Sequence, residues 1–447
     1  MTRSLGIARA VAAALIGAST LGLWANPAAA DPTKVLFVGN SYTHGRYTPA
    51  LNYNAGPGNG TDSALVHDLL CPSLPCTGAE GVVPVVPTSA NTPGGTLLGQ
   101  LVYLQANLAS DYTEVGPFGG VAGIFLQLTR EAGLDYDVSL IAVSSATLKG
   151  YSGNKGSELG DLPLIESAKF SHVILQDQTF EPLPTSITVN GQSVPTRGNP
   201  TSFQAGVTAL IDGIDAADKA AGVSYAAITL AQTPPLASYG YTSTNPAAPI
   251  FGTSTVAQQS GNVAYAPYLG DADPMAAMAA DLHAAYETAA ATYTAANPGQ
   301  STVGVAVDGD AWISAMNLGL AQRNPFLARE PWGQIDLWDS NPLLACCTVP
   351  IGYHPSVYGD YLNALMLFGQ ITGINPLWIS TEYSPFGRDY RSTASHALGI
   401  SPEIAGALAI VAQETLVAGG PVTGQPGLLC WEQKWASCRR PPGGHPW

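Results

Sequence analysis

The stretch Lys34–Gly45, KVLFVGNSYTHG, decides the fold. A short apolar run stops at Gly39-Asn40-Ser41. Such a run, rich in branched and aromatic residues and closed by turn formers, reads as a buried strand. Ser41 then stands at the carboxyl end of that strand, where open α/β sheets bind their ligands. Taken alone, Asn-Ser is also an ordinary turn. The elbow motif G-x-S-x-G is not met, because the residues are Gly39-Asn40-Ser41-Tyr42-Thr43.

Further along the chain, strand-like and helix-like stretches alternate. Strands are expected over 34–39, 137–145, 171–179, 224–233 and 301–312, and helices over 120–134, 202–222, 273–297 and 356–373. Strands that are apolar almost throughout, and that alternate with helices, imply a parallel sheet covered on both faces. The loops after the strands then line one edge, where a site is to be sought. Stretches 52–118, 180–200, 234–272 and 323–352 are rich in Gly, Pro, Asn, Thr and Ser. They read as insertions decorating one domain over 31–420, since loops of this length commonly cover sites.

Composition narrows the class. Hydrophobic residues make up 46% of the 447 residues, enough for a large core. The formal charge of -15, from 32 acidic and 17 basic side chains, lacks the basic footprint of a nucleic-acid partner. Arg3 and Arg9 precede or flank the apolar run AVAAALIGASTLGLW at 10–24, and NPAAAD follows. Residues 1–30 therefore read as a secretory signal peptide cleaved after Ala30, which places the mature chain in the periplasm or the medium. No later segment is apolar for long enough to span a bilayer, and 404–420 reads as a packed helix. The six cysteines, Cys71, Cys76, Cys346, Cys347, Cys430 and Cys438, suit an exported disulfide protein. Cys71–Cys76 and Cys430–Cys438 would close short loops, and residues 421–447 read as a disulfide-tied tail. The cysteine spacings pair with no histidines in a zinc pattern.

A serine hydroxyl is a weak nucleophile until a base lies within hydrogen-bond reach. His354, set before Pro355 and a helix in GYHPSVYGDYLNAL, is the leading base, and His44 is its rival. His354 as a capping or surface histidine is the other reading.

Together these segments resemble the SGNH (GDS-like) hydrolase superfamily. VLFVGNSYT is similar to its first block, VILQDQT to a Leu-Gln-x-Gln form of its third, and GYHPSVYGDYLNAL to its last. The resemblance implies a three-layer α/β/α, flavodoxin-like sandwich with a central five-stranded parallel sheet. It implies that Ser41 attacks an ester carbonyl and that His354 acts as base and then acid. The oxyanion hole would use the backbone amides of Ser41 and Ser145, with the side chain of Gln178, or else Gln176, as third donor. The family's acid position is occupied here by Ile351. Either the pair works as a dyad, or a carboxylate arrives from DLWDS, where Asp336 and Asp339 are the candidates. The expected substrate is a small ester or an esterified polymer (O-acetyl or short-acyl groups on polysaccharide, lipid or polyester), with no metal or organic cofactor. A non-catalytic carbohydrate-binding or surface protein of the same fold, and an acyltransferase, are the alternatives.

Overall fold

Alternation within the first strand builds both faces of the molecule. In a computed structural model, which describes residues 31–71, 116–144, 146–153, 161–241, 266–325, 327, 334–339, 353–380 and 389–422, strand β1 runs Thr33–Gly39. Successive side chains of a strand point to opposite faces. Val35 and Phe37 accordingly enter one core, and Leu36 and Val38 enter another. A strand buried on both sides has no need of the polar alternation of a half-exposed one, which explains the uninterrupted apolar run.

The other strands are β2 (Ala55–Pro57), β3 (Val66–Asp68), β4 (Tyr136–Ala142), β5 (His172–Leu175), β6 (Ser186–Val189), β7 (Gln192–Pro195), β8 (Ala227–Ala231) and β9 (Val303–Ala306). The main sheet has the order β2-β3-β4-β1-β5-β8-β9, and all its pairings are parallel. Five consecutive strands, β4-β1-β5-β8-β9, follow the flavodoxin-like order, whose topological switch point lies beside the first strand. The expected five-strand sheet is thus corrected to seven. The extra strands, β2 and β3, come from the insertion 52–118, and each is only 3 residues long. Backbone hydrogen bonding, of β3 to β4 and of β2 to β3, makes them strands in place of an apolar run.

The helices used below are α1 (Ser41–His44), α2 (Gly120–Glu131), α3 (Leu148–Tyr151), α4 (Pro200–Ala221), α5 (Pro274–Ala296), α6 (Asp308–Asn317), α7 (Val357–Thr372) and α8 (Pro402–Ala418). Helices α2, α6, α7 and α8 bury their apolar faces with Val35 and Phe37. Helices α3 and α4, with the C-terminal half of α5, cover Leu36 and Val38. The result is the α/β/α sandwich. The expected strand over 301–312 divides, because Asp308 opens α6 just after β9 ends.

Two glycines let α2 dock closely. Gly120 has φ +53, and a Cβ there would strike the carbonyl of His44, while a Cβ on Gly123 would strike the carbonyl of Tyr53. The amides of Gly119 and Gly120 donate to Leu51 and Ala50 at 2.8 and 3.0 Å, which partners first-turn groups that helices otherwise leave open.

Within the described residues, no helix is long and apolar enough to cross a membrane. The leader 1–30 and nearly all of the tail 421–447 lie outside the described residues, as do all the cysteines except Cys71.

Phe37 is fully buried and meets Phe125 edge-on at 5.4 Å. Phe37→Ala is expected to lower unfolding stability by about 3–5 kcal/mol in urea titration. Lys34→Ala, exposed on the same strand, should stay within about 0.5 kcal/mol of the parent.

Candidate active site

Gly39 ends β1, and Asn40 then turns the chain into α1. Asn40 is extended (φ -137°), and its side-chain oxygen accepts the Tyr42 amide at 3.1 Å, a helix N-cap. Its side-chain nitrogen donates to the Ala146 carbonyl at 3.0 Å, which ties the loop after β4 to the same corner. Ser41 is therefore the first residue of a helical turn at the carboxyl edge of the sheet. Amides of a first turn have no partner within the helix and point outward from it.

His354 arrives from the other end of the chain. Residues 336–339 run beside 353–356: Trp338 bridges Pro355 antiparallel, and the Asp339 amide donates to the His354 carbonyl at 2.9 Å. Ser356 caps α7 through the Tyr358 and Gly359 amides, and its hydroxyl donates to the Asp336 carbonyl at 2.6 Å. Trp338 anchors the strip, with its indole N–H on the Pro235 carbonyl at 3.0 Å and its ring edge-on to Trp312. Held in this way, His354 Nε2 lies 2.8 Å from Ser41 Oγ, across 313 positions of sequence. Both side chains are buried, at 5% and 4% exposure.

Three tyrosines surround the imidazole. Ring centroids of Tyr353, Tyr42 and Tyr47 lie 5.0, 5.3 and 6.2 Å from that of His354. The Tyr42 hydroxyl donates to the Tyr353 carbonyl, and the Tyr353 hydroxyl accepts Gln178 Nε2 at 3.1 Å. Burial pushes the Tyr42 phenol well above its ordinary range and that of Tyr353 up to about 12, so both keep their protons at neutral pH.

His44, the rival base, is engaged elsewhere. Its Nε2 lies 3.2 Å from Ser144 Oγ, its Nδ1 lies 3.3 Å from the Gly45 carbonyl, and its ring stacks on Phe118 at 4.5 Å. Of the two candidate acids, Asp336 accepts the Trp338 amide at 3.1 Å, and Asp339 meets the histidine strip through its backbone. A further carboxyl, Asp360 in the first turn of α7, is pushed well upward by burial and by the charge of Asp339. Ile351 and Ser145 lie outside the described residues.

The strand end at β5 completes the corner. Gln176 is a strap: its side-chain oxygen accepts the Asn40 amide at 3.2 Å and the Thr43 hydroxyl at 2.8 Å, and its nitrogen donates to the Asp177 carbonyl. The Gln178 amide bonds Tyr353 and, through its oxygen, the Phe180 amide at 3.2 Å. Neither glutamine bonds Ser41 or His354 directly. Sequence reasoning overlooked the residue between them, Asp177, as well as the organising role of Asn40. Both stand inside the motifs that drew attention, and their polar side chains at buried strand ends were the available signal.

Gly39 is required by this strap, since a Cβ there would fall on the Thr43 hydroxyl and within 2.8 Å of Gln176 Oε1. Gly39→Ala is expected to cost about 1–3 kcal/mol of stability through overpacking, read from the urea midpoint. A variant as stable as the parent would contradict the strap.

No family model matches the chain, and no curated protein matches it. Among solved structures it is similar to a DUF4886 family protein from Bacteroides uniformis, with a TM-score of 0.40 and 12% identity, over 89% of this chain and 98% of that one. It is also similar to a protein from Slackia heliotrinireducens described as "a putative SGNH hydrolase", with a TM-score of 0.32 and 14% identity, over 76% of this chain and 99% of the other.

Proposed function

We propose that this chain is an exported serine hydrolase that cleaves carboxylic esters with Ser41 as nucleophile and His354 as its base. The observation that carries this reading is the 2.8 Å contact between Ser41 Oγ and His354 Nε2 at the carboxyl edge of the sheet. A hydroxyl and an imidazole at that distance are the minimum needed to generate an alkoxide as it attacks.

In the reaction, Ser41 Oγ adds to the ester carbonyl while its proton passes to His354 Nε2. The carbonyl π pair moves onto oxygen, and the outward-facing Ser41 amide, with that of Ser145, is the proposed donor set for this oxyanion. On collapse, the bond to the alcohol breaks and the alcohol leaves with the proton from His354. Water, deprotonated by the same imidazole, then hydrolyses the acyl-enzyme. The three tyrosine rings packed on the imidazole help to orient it for these proton transfers.

The remaining expectations belong to the same proposal. Residues 1–30 are removed on export, and the cysteines pair in the exported chain. The substrate is an O-acetyl or short-acyl ester, free or on a polymer.

The purified mature protein is expected to hydrolyse p-nitrophenyl acetate and butyrate. Ser41→Ala and His354→Ala should each lower kcat/KM by about 10³-fold or more. Equal rates for parent and Ser41→Ala would contradict the assignment.

A further inference from the structure

Asp177 has no part in the chemistry above, yet it is fully buried, at 0% exposure, at the end of β5, the strand next to the switch point. One carboxyl oxygen, Oδ1, accepts two backbone amides: Gln178 at 2.7 Å and Leu148 at 3.0 Å. Leu148 opens α3, just past the loop that follows β4. Asp177 therefore ties the loop after β4 to the loop after β5. On the other side of that first loop, the Asn40 side chain holds the Ala146 carbonyl at 3.0 Å. The described ends of the loop after β4, Ala146 and Leu148, are thus held by residues that follow β1 and β5.

We propose that Asp177 is a positioning residue for this site, setting the start of α3 and the turn after β5 against the nucleophile by clamping the Leu148 and Gln178 amides. The inference rests on the hydrolase reading for its effect on rate, but not for the clamp itself. Its second oxygen, Oδ2, is buried with no hydrogen-bond partner among the described residues. Among the described residues, no cation faces it to balance a negative charge. The titratable groups that face it are Glu181 from its own loop and the Tyr286 hydroxyl from α5. Burial, with Glu181 adding to it, pushes the carboxyl from 3.8 to about 8, so the clamp works as a neutral acid at neutral pH. An amide has the same shape and the same accepting oxygen, so asparagine should replace it.

The sign of the pH effect follows from linkage. Between 3.8 and about 8 the unfolded chain has lost this proton while the folded chain keeps it. The unfolded state then binds fewer protons, and stability falls as pH rises through that window. Asp177→Asn removes the contribution.

The test compares the whole protein with Asp177→Asn, Asp177→Ala and Ser41→Ala. With p-nitrophenyl butyrate, Asp177→Ala should lose about 10²-fold in kcat with KM little changed. Asp177→Asn should keep the parent kcat and hold it above about pH 8, where the parent declines. Amide exchange at Leu148 and Gln178 should speed up in Asp177→Ala and stay slow in Asp177→Asn. The melting temperature of Asp177→Asn should exceed that of the parent by a margin that grows from acid to about pH 8. An Asp177→Asn variant as impaired as Asp177→Ala, or exchange unchanged in Asp177→Ala, would overturn the proposal. If Ser41→Ala retains activity, the hydrolase reading fails instead, and the exchange and melting data still decide the clamp.

Discussion

A hydrogen bond between two side chains 313 positions apart is the constraint on which the rest of this molecule depends. Neither residue reaches the other by local structure. Ser41 is delivered by β1, the strand with parallel neighbours on both sides, β4 and β5. His354 is delivered by a strip that pairs with 336–339 and is pinned through Trp338 and Trp312 to the core. Because β1 is central and buried on both faces, the height of Ser41 above the sheet is set by two cores at once. A register slip of β1 would exchange Val35 and Phe37 with Leu36 and Val38 and disrupt both. The contact is thus protected by the bulk of the apolar burial, which is the dominant favourable contribution to folding.

Around that contact, polar residues act as joinery. Asn40, Gln176 and Asp177 each bridge two strand ends or loops, and each is buried. Buried polar groups are tolerated when they are hydrogen-bonded and are costly otherwise. Their presence at the carboxyl ends of β1 and β5, and not elsewhere along those strands, marks where packing has given way to positioning. The aromatic ring set around His354 belongs to the same scheme. It orients the imidazole by contact, with Tyr353 in turn held through its hydroxyl by Gln178 and its carbonyl by Tyr42.

Much of this was legible in the residues. Continuous apolar runs identified β1, β4, β5, β8 and β9, because a strand covered on both faces carries little polar interruption. Helix-like stretches over 202–222 and 404–420 marked α4 and α8, which end at Gly222 and Gly419. What escaped was structure made by pairing alone. β2 and β3 contain Gly, Pro, His and Asp and have no apolar pattern. The β6–β7 hairpin, however, was signalled. Asn190-Gly191, with φ +50 and +76, sits between alternating residues in SITVNGQSVP and is a strong hairpin sign inside what reads as an irregular insertion. At the site, Ser41 and His354 were visible as motif residues. The strap of Gln176 and the clamp of Asp177 were not, because each reaches residues far away in sequence, Asn40 and Thr43 in one case and Leu148 in the other, and no spacing rule reports those.

The most direct measurement is a crystal structure of the mature protein after reaction with a fluorophosphonate. The expected result is a phosphonyl group bonded to Ser41 Oγ with fluoride expelled, its alkoxy oxygen on the side of His354 Nε2 and its phosphoryl oxygen on the Ser41 amide. A phosphonyl group on another serine, or an unmodified Ser41 in protein that hydrolyses esters, would contradict it.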